Sequence, residues 1–392
     1  MIALTAARLY TPTESLNDAV VLVEDRWITA VHSRREFAIP GNCRHVDFGQ
    51  STIAPAFIDI HIHGNAGHDV MESGTTALPA VERSLAKHGV GSYFPTTVTA
   101  PTDQILAALD RLANAIENTS GSTSGEQRAT PIGIHLEGPF LSHARRGVHP
   151  IDLLQTPTVA LFEKFWQAAR GHIKLMTIAP ELKGAEQTIT EAVRRGVCVS
   201  LGHSDADQDT ARSAVQAGAR HATHTFNAMR ALGHRDPGLL GVVLTDSRLS
   251  ADIIADGVHL DPTIVRLFLD AKGADLSVLI TDATAATGMP DGRYRLGSFE
   301  VEVEGDRCMA DGKLAGSVLT MDRAVQNLMQ FAGWNLRASV QAATLNPARV
   351  VGMHATGTAQ RGVIAVGAVA DIVLLSESGE VQATILGGQV AR

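Results

Sequence analysis

The sequence predicts an α/β protein: a (β/α)8 TIM barrel carrying a small β-sandwich-like domain formed from both chain ends. Three observations lead there. From residue 53 onward, short apolar β-like runs alternate with helical periods, and eight such runs can be counted. Both chain ends instead alternate polar and apolar residues between turn signals. The 392 residues, 45% hydrophobic and 19% charged, suffice for one barrel with an appendage.

In order, DAVVLVED and RWITAVHS alternate across a tight polar turn, as a hairpin does. AFIDIHIH then precedes TTALPAVERSLAKHG, GSYFPTTV precedes TDQILAALDRLANAIEN, PIGIHLEG precedes TVALFEKFWQAARG, and IKLMTIAPE precedes GAEQTITEAVRRG. VCVSLGHS precedes DADQDTARSAVQAGA, HATHTFNAM precedes PGLLGVVLTDS, LSADIIADG precedes DPTIVRLFLDAKG, and DLSVLITDA is the eighth strand. After it, GRYRLGSFEVEVEGDRCMADGKLAG reads as an inserted hairpin. Helices follow at LTMDRAVQNLMQFAG and NLRASVQAATLNPARVVG, and the tail GVIAVGAVADIVLLSESGEVQATILGGQVAR returns to strands. The expected division is 1–52 and 359–392 for the two parts of the small domain and 53–358 for the barrel. NTSGSTSGEQ (118–127) reads as a flexible surface loop.

A formal charge of −8 without any basic cluster argues against a nucleic-acid partner. No segment approaches the roughly 18 apolar residues of a membrane helix, and the N-terminus lacks a signal-peptide pattern. A soluble, cytoplasmic protein is expected. Cys43, Cys198 and Cys308 are few and far apart, which suits buried hydrophobes rather than disulfides or a CxxC site.

Side chains at the C-terminal ends of barrel strands converge on one open face. His61 and His63, two apart, share one side of strand one. Strand three ends in His135 and Glu137, strand five in His203, strand six in His224, strand seven in Asp256 and His259, and strand eight in Asp282. One histidine at a strand end is usually hydrogen-bonded structure; several strands placing His, Glu or Asp at the same end is not. Imidazole with carboxylate suits a divalent ion such as Zn²⁺. His61, His63, Glu137, His203 and His224, with Asp282, exceed what one tetrahedral ion needs, so one or two ions per subunit are expected, with Glu137 bridging. Asp59 and His135 share the inward parity and read as orienting or barrel-filling groups. His68 and His143 read as loop residues at the same face.

The pieces APAFIDIHIHG, HLEGPFL, GVHP, LGHSDA, THTFNAM, RDPGLLG, ADGVHL, ITDAT and LAGS occur in this order over nearly the whole chain. Together they resemble the amidohydrolase superfamily and, more narrowly, its N-acetylglucosamine-6-phosphate deacetylase family. That resemblance implies a dimer that hydrolyses the acetamide of a phosphorylated amino sugar. It assigns Glu137, His203 and His224 to one metal, and His61, His63 and Asp282 to the neighbourhood of another. The superfamily's bridging lysine on strand four is replaced here by Glu137 on strand three. Asp282 is implied as the proton shuttle for a metal-activated water, and His259 as the group polarising the acetyl carbonyl. Val148, His149, Asn227, Ala228, Asp256, Gly257, Val258, His259, Leu314, Ala315 and Gly316 match substrate-binding positions. Arg235 matches an arginine that reaches the neighbouring subunit's site; without the resemblance it reads as paired with Asp236 on a solvated loop. Deacetylation of N-acetylgalactosamine-6-phosphate, hydrolysis of a cyclic amide or N-acyl amino acid, and a silent binding protein on the same fold are the rival readings.

Overall fold

The computed structural model describes residues 1–118, 126–355 and 360–390. Most of the expected 118–127 loop and the expected junction at 358/359 therefore lie outside the described residues.

Eight parallel strands form the barrel: Phe57–Ile62, Val90–Thr97, Ile134–Glu137, Ile173–Ile178, Cys198–Leu201, His221–Ala222, Ala251–Ile254 and Ser277–Ile280. They are numbered one to eight below. Their residues are almost all buried, because strands with helices packed outside and side chains packed inside meet no water. Backbone bonds from Ala222 N to Ser250 O (3.1 Å) and Thr225 N to Asp252 O (2.9 Å) carry the ring from strand six to strand seven. Asp282 N to His61 O (2.9 Å) and His63 N to Ala283 O (2.8 Å) close it from strand eight to strand one. The eight units counted in the sequence are thus a closed barrel.

The outer helices follow the apolar period: Ile105, Ala108, Leu109, Leu112 and Ala113 form the buried stripe of the helix after strand two. Several are capped by the residues that lead into them. Thr158 accepts from Leu161 N, Asp207 from Thr210 N, and Asp261 from Thr263 N just before Pro262.

Two expectations change in detail. The segment read as one hairpin is a four-stranded antiparallel sheet, Gly292–Leu296, Phe299–Glu304, Arg307–Ala310 and Lys313–Leu314. Its two-residue turns are Gly297-Ser298, Gly305-Asp306 and Asp311-Gly312, where Gly297, Gly305, Asp311 and Gly312 have left-handed φ. The last expected helix is two, Leu336–Ala342 and Leu345–Val350. The break falls at Thr344 (φ −134°, ψ −83°), three residues before Pro347, which has no N–H to continue the ladder.

Both chain ends build one seven-stranded sheet. Ile2–Tyr10 pairs with Ser15–Glu24, and Thr52–Pro55 lies between Ile2–Tyr10 and the tail strand Ile372–Leu375. The sheet therefore runs three residues past the expected boundary at 52. Its own apolar core includes Leu4, Ile28, Ile53 and Leu374. The buried Arg361–Asp371 ion pair ties its two tail segments together.

Candidate metal centre and active site

Each candidate ligand stands at or just past the C-terminal end of a barrel strand. Three of them, His203 (φ 47°), His224 (φ 29°) and Asp282 (φ 50°), hold left-handed backbone conformations that non-glycine residues seldom adopt. Such strain concentrates where a side chain must be aimed at a fixed point.

The ligand atoms meet in two groups across one carboxylate. Oε2 of Glu137 lies 3.3 Å from His61 Nε2 and 3.2 Å from His63 Nε2. Its other oxygen, Oε1, lies 3.2 Å from His224 Nε2 and 3.4 Å from His203 Nε2. Asp282 Oδ1 completes the first group at 3.1 Å from His63 Nε2 and 3.4 Å from His61 Nε2. Within each pair of imidazoles the Nε2 atoms are 3.2 Å (His61, His63) and 3.0 Å (His203, His224) apart. Two nitrogens bound to one tetrahedral ion at about 2.0–2.1 Å would lie about 3.3 Å apart, so the spacing fits a shared cation.

Hydrogen bonds set two of these rings. His63 Nδ1 donates to Thr96 O (3.0 Å) and His203 Nδ1 to Arg145 O (3.0 Å); a carbonyl only accepts, so Nε2 is the nitrogen left to bind a metal. His61 Nδ1 and His224 Nδ1 have no partner among the described residues. Asp252, on strand seven, fixes strand six instead: Oδ1 accepts from the His224 backbone N–H and Oδ2 from His221 Nε2 at 2.9 Å.

Electrostatics agree with a cation-binding cluster. Burial pushes the Glu137 carboxyl up, but His61, His203 and His224 outweigh it and hold it well below the usual carboxylate range. Asp282 is likewise held low by His61 and His63 against its burial. The same carboxylates raise the imidazoles: His63 lies well above its ordinary value and His224 at about 9, although burial opposes both. Anionic carboxylates that draw protons onto neighbouring imidazoles would equally draw a divalent ion, and the nitrogen and oxygen donor set suits one.

His149 also points into the cluster, with Nε2 3.9 Å from Glu137 Oε2. Its Nδ1 faces the Thr99 N–H (3.3 Å) and the Thr99 hydroxyl (2.8 Å). A backbone N–H only donates, so Nδ1 accepts and Nε2 carries the proton, although His149 also stands with Glu137 and His203 in a group whose ligand atoms lie within 4.8 Å of one another. Burial first, then His203, pushes its pKa down to about 3, so the ring is neutral.

A chamber of about 170 Å³ opens over these groups. Of the expected substrate residues, Val148, His149, Asn227, Ala228, His259, Leu314 and Gly316 line it. Asp256 instead lies behind His259: it accepts from His259 Nδ1 (2.7 Å) and from the backbone N–H groups of His259 and Val258 (both 2.8 Å). Gly257, Val258 and Ala315 are not in the wall, and Ala315 is buried in the inserted sheet's core. Arg235 is exposed outside the chamber, and Asp236, its expected partner, pairs with Arg230.

Asp59 ties strand one to strand eight, accepting from the Thr281 hydroxyl at 2.6 Å, and His135 bonds Thr177 Oγ1 at 2.7 Å; neither reaches the ligand atoms. His68 pairs with Glu72, and His143 is exposed. Asp252, Thr96 and Thr99 were not singled out from the sequence. Only Asp252 left a signal there, as a charge inside an apolar run at the inward parity of Ile254.

The Amidohydrolase family model matches residues 52–391. An N-acetylgalactosamine-6-phosphate deacetylase of Escherichia coli O157:H7 is 36% identical over 389 residues, 99% of this chain and 98% of its own length. An N-acetylglucosamine-6-phosphate deacetylase of Bos taurus is 38% identical over 357 residues, 88% of this chain and 84% of its own. An aspartate-to-alanine variant of the N-acetyl-D-glucosamine-6-phosphate deacetylase of Mycobacterium smegmatis, solved with N-acetyl-D-glucosamine-6-phosphate, superposes with a TM-score of 0.91. It is 32% identical, and the match covers 99% of this chain and 98% of that one. A closed barrel with ligand-bearing strand ends, matched by family model and fold along most of its length, places this chain in the amidohydrolase family.

Proposed function

We propose that the protein hydrolyses the acetamide of N-acetylglucosamine-6-phosphate to glucosamine-6-phosphate and acetate. The observation that carries this reading is the Glu137 carboxylate, with each oxygen facing its own imidazole pair, beneath a chamber that Asp282 and His259 also line. The Bos taurus and Mycobacterium smegmatis relatives supply the substrate.

Two divalent ions, Zn²⁺ by donor type, would be held by His61, His63 and Asp282 on one side and His203 and His224 on the other, with Glu137 shared. When bound, such ions polarise a carbonyl and lower the pKa of water to about 7. The chain's own groups do the rest. Asp282, anionic, takes the proton from the attacking water as its oxygen bonds the carbonyl carbon. It then delivers that proton to the amide nitrogen as the C–N bond breaks, a role typically worth about two to four orders of magnitude. Asp256 accepts from His259 Nδ1 and so holds the ring at the chamber wall, where His259 is assigned to polarise the acetyl carbonyl. Asn227 and Ala228 line the chamber where the sugar phosphate would lie, while His149, whose Nε2 points into the cluster, would face the acetamide end.

Arg235, exposed on a loop with the half-exposed Leu232, is assigned to the phosphate of a partner subunit's substrate in a homodimer. A phosphorylated sugar does not cross membranes freely, which supports a cytoplasmic location; no helix among the described residues is long and apolar enough to span a membrane. The 36% identity to the N-acetylgalactosamine-6-phosphate deacetylase of Escherichia coli O157:H7 keeps that epimer as the second reading.

Acetate release from the two epimeric sugar phosphates, and from unphosphorylated N-acetylglucosamine, tests this. The gluco phosphate should be the best substrate and the unphosphorylated sugar the worst. Preference for the galacto epimer would install the second reading, and no release from either phosphate would overturn both.

A further inference from the structure

One apolar sector of the chamber wall packs against the inserted sheet. Val98, Val148, Leu296 and Phe299 all line the chamber, and all four belong to the apolar cluster under that sheet. Val98 and Leu296 are buried, while Phe299 is half-buried at the first turn. This sector adjoins the ligand cluster, since Val98 stands two residues beyond Thr96, whose carbonyl holds His63.

It is also pinned in place. Asp69 Oδ2 accepts from the Gly297 N–H at 2.6 Å, and Lys313 Nζ reaches Gly147 O at 3.4 Å. A Cβ on Gly297 would sit 2.3 Å from Val98 Cγ2, so the strand end is pressed against Val98 with no slack. The wall cannot retreat unless the sheet moves.

An N-acetylhexosamine phosphate has hydroxyls, a phosphate and an amide, all of which lose hydrogen bonds against apolar side chains, and one freely apolar group, the acyl methyl.

We propose that Val98, Leu296 and Phe299 receive the acyl methyl and gauge acyl length, admitting acetyl and excluding longer chains. This rests on the deacetylase reading above. A propionyl or butyryl chain meets the fixed wall and displaces the carbonyl carbon from Asp282 and His259, so turnover suffers more than binding; a misplacement of about 1 Å can cost about 100-fold. The bond broken and the proton transfers are those of the acetyl reaction.

The test compares N-acetyl-, N-propionyl- and N-butyryl-glucosamine-6-phosphate, reading kcat/KM from the carboxylate released, for the wild type, Leu296→Ala and Phe299→Ala. The wild type should lose at least about tenfold per added methylene, mostly in kcat. Each variant should raise the butyryl-to-acetyl ratio at least about tenfold. A variant that merely loosens the sheet lowers both rates and leaves the ratio unchanged, which would overturn the gauge. So would a wild type indifferent to chain length. Phe299, half-buried, keeps the test open if Leu296→Ala does not fold. Absence of acetate release by the wild type would instead remove the deacetylase reading, and the gauge with it, before any variant is made.

Discussion

Asp252 offers no atom to a metal, yet it holds His224 by the backbone and His221 by the ring. Asp252→Ala should weaken metal binding by about 10–100-fold, measured by chelator competition, because groups behind a ligand set its orientation. It should also cost about 1–3 kcal/mol in denaturant unfolding, since His221 loses a buried partner. Asp282→Asn should keep the fold and lose at least about 100-fold in acetate release. Undiminished turnover would remove Asp282 as the proton carrier. The candidate ligand types were legible in the sequence because histidines and acids recur at several strand ends. The left-handed φ of His203, His224 and Asp282 was not, because non-glycine residues carry no mark of such a conformation before folding. Nor were Thr96 and Thr99, whose contributions are a carbonyl and a backbone N–H that any residue type could supply.

Among the elements, the eight strands were readable because buried parallel strands are continuous apolar runs followed by amphipathic helices. The inserted sheet was undercounted: its alternation was read, but its three short turns were not resolved into three separate reversals. Elsewhere an element carries a buried acid on its inner face. Glu82, in the helix Ala77–Lys87, packs near Tyr93 of strand two and 3.6 Å from Arg128. Burial pushes its carboxyl up to about 7, against an ordinary value of 4.5. The folded value is the higher one, so below pH 4.5 both states are protonated and no penalty exists; the cost of ionisation grows as pH rises toward 7 and is complete above it. Glu82→Gln should therefore stabilise the protein by about 1–3 kcal/mol at pH 8 and by nothing at pH 4. Thermal unfolding across this range decides it; equal gains at both ends would contradict the assigned cause.

For the whole molecule, the pairing of the two chain ends followed from their shared alternation, but the strand order did not, because register between distant segments depends on which faces the barrel leaves to be covered. The proposed subunit association is carried by Arg235, an exposed cation beyond the chamber it is proposed to serve in a partner. If each site takes its arginine from the other subunit, mixing inactive Arg235→Ala with inactive Asp282→Asn protein should restore activity. After random subunit exchange, about a quarter of wild-type sites would be whole. No recovery from stable mixed dimers would assign Arg235 to its own subunit or to none.

The account depends above all on six side chains from five strand ends jointly holding a divalent cation. The most direct measurement strips the protein with a chelator, assays acetate release from N-acetylglucosamine-6-phosphate, and titrates Zn²⁺ back. Release should disappear and return with one to two equivalents of metal per chain. Undiminished release from protein shown to be metal-free would contradict the account.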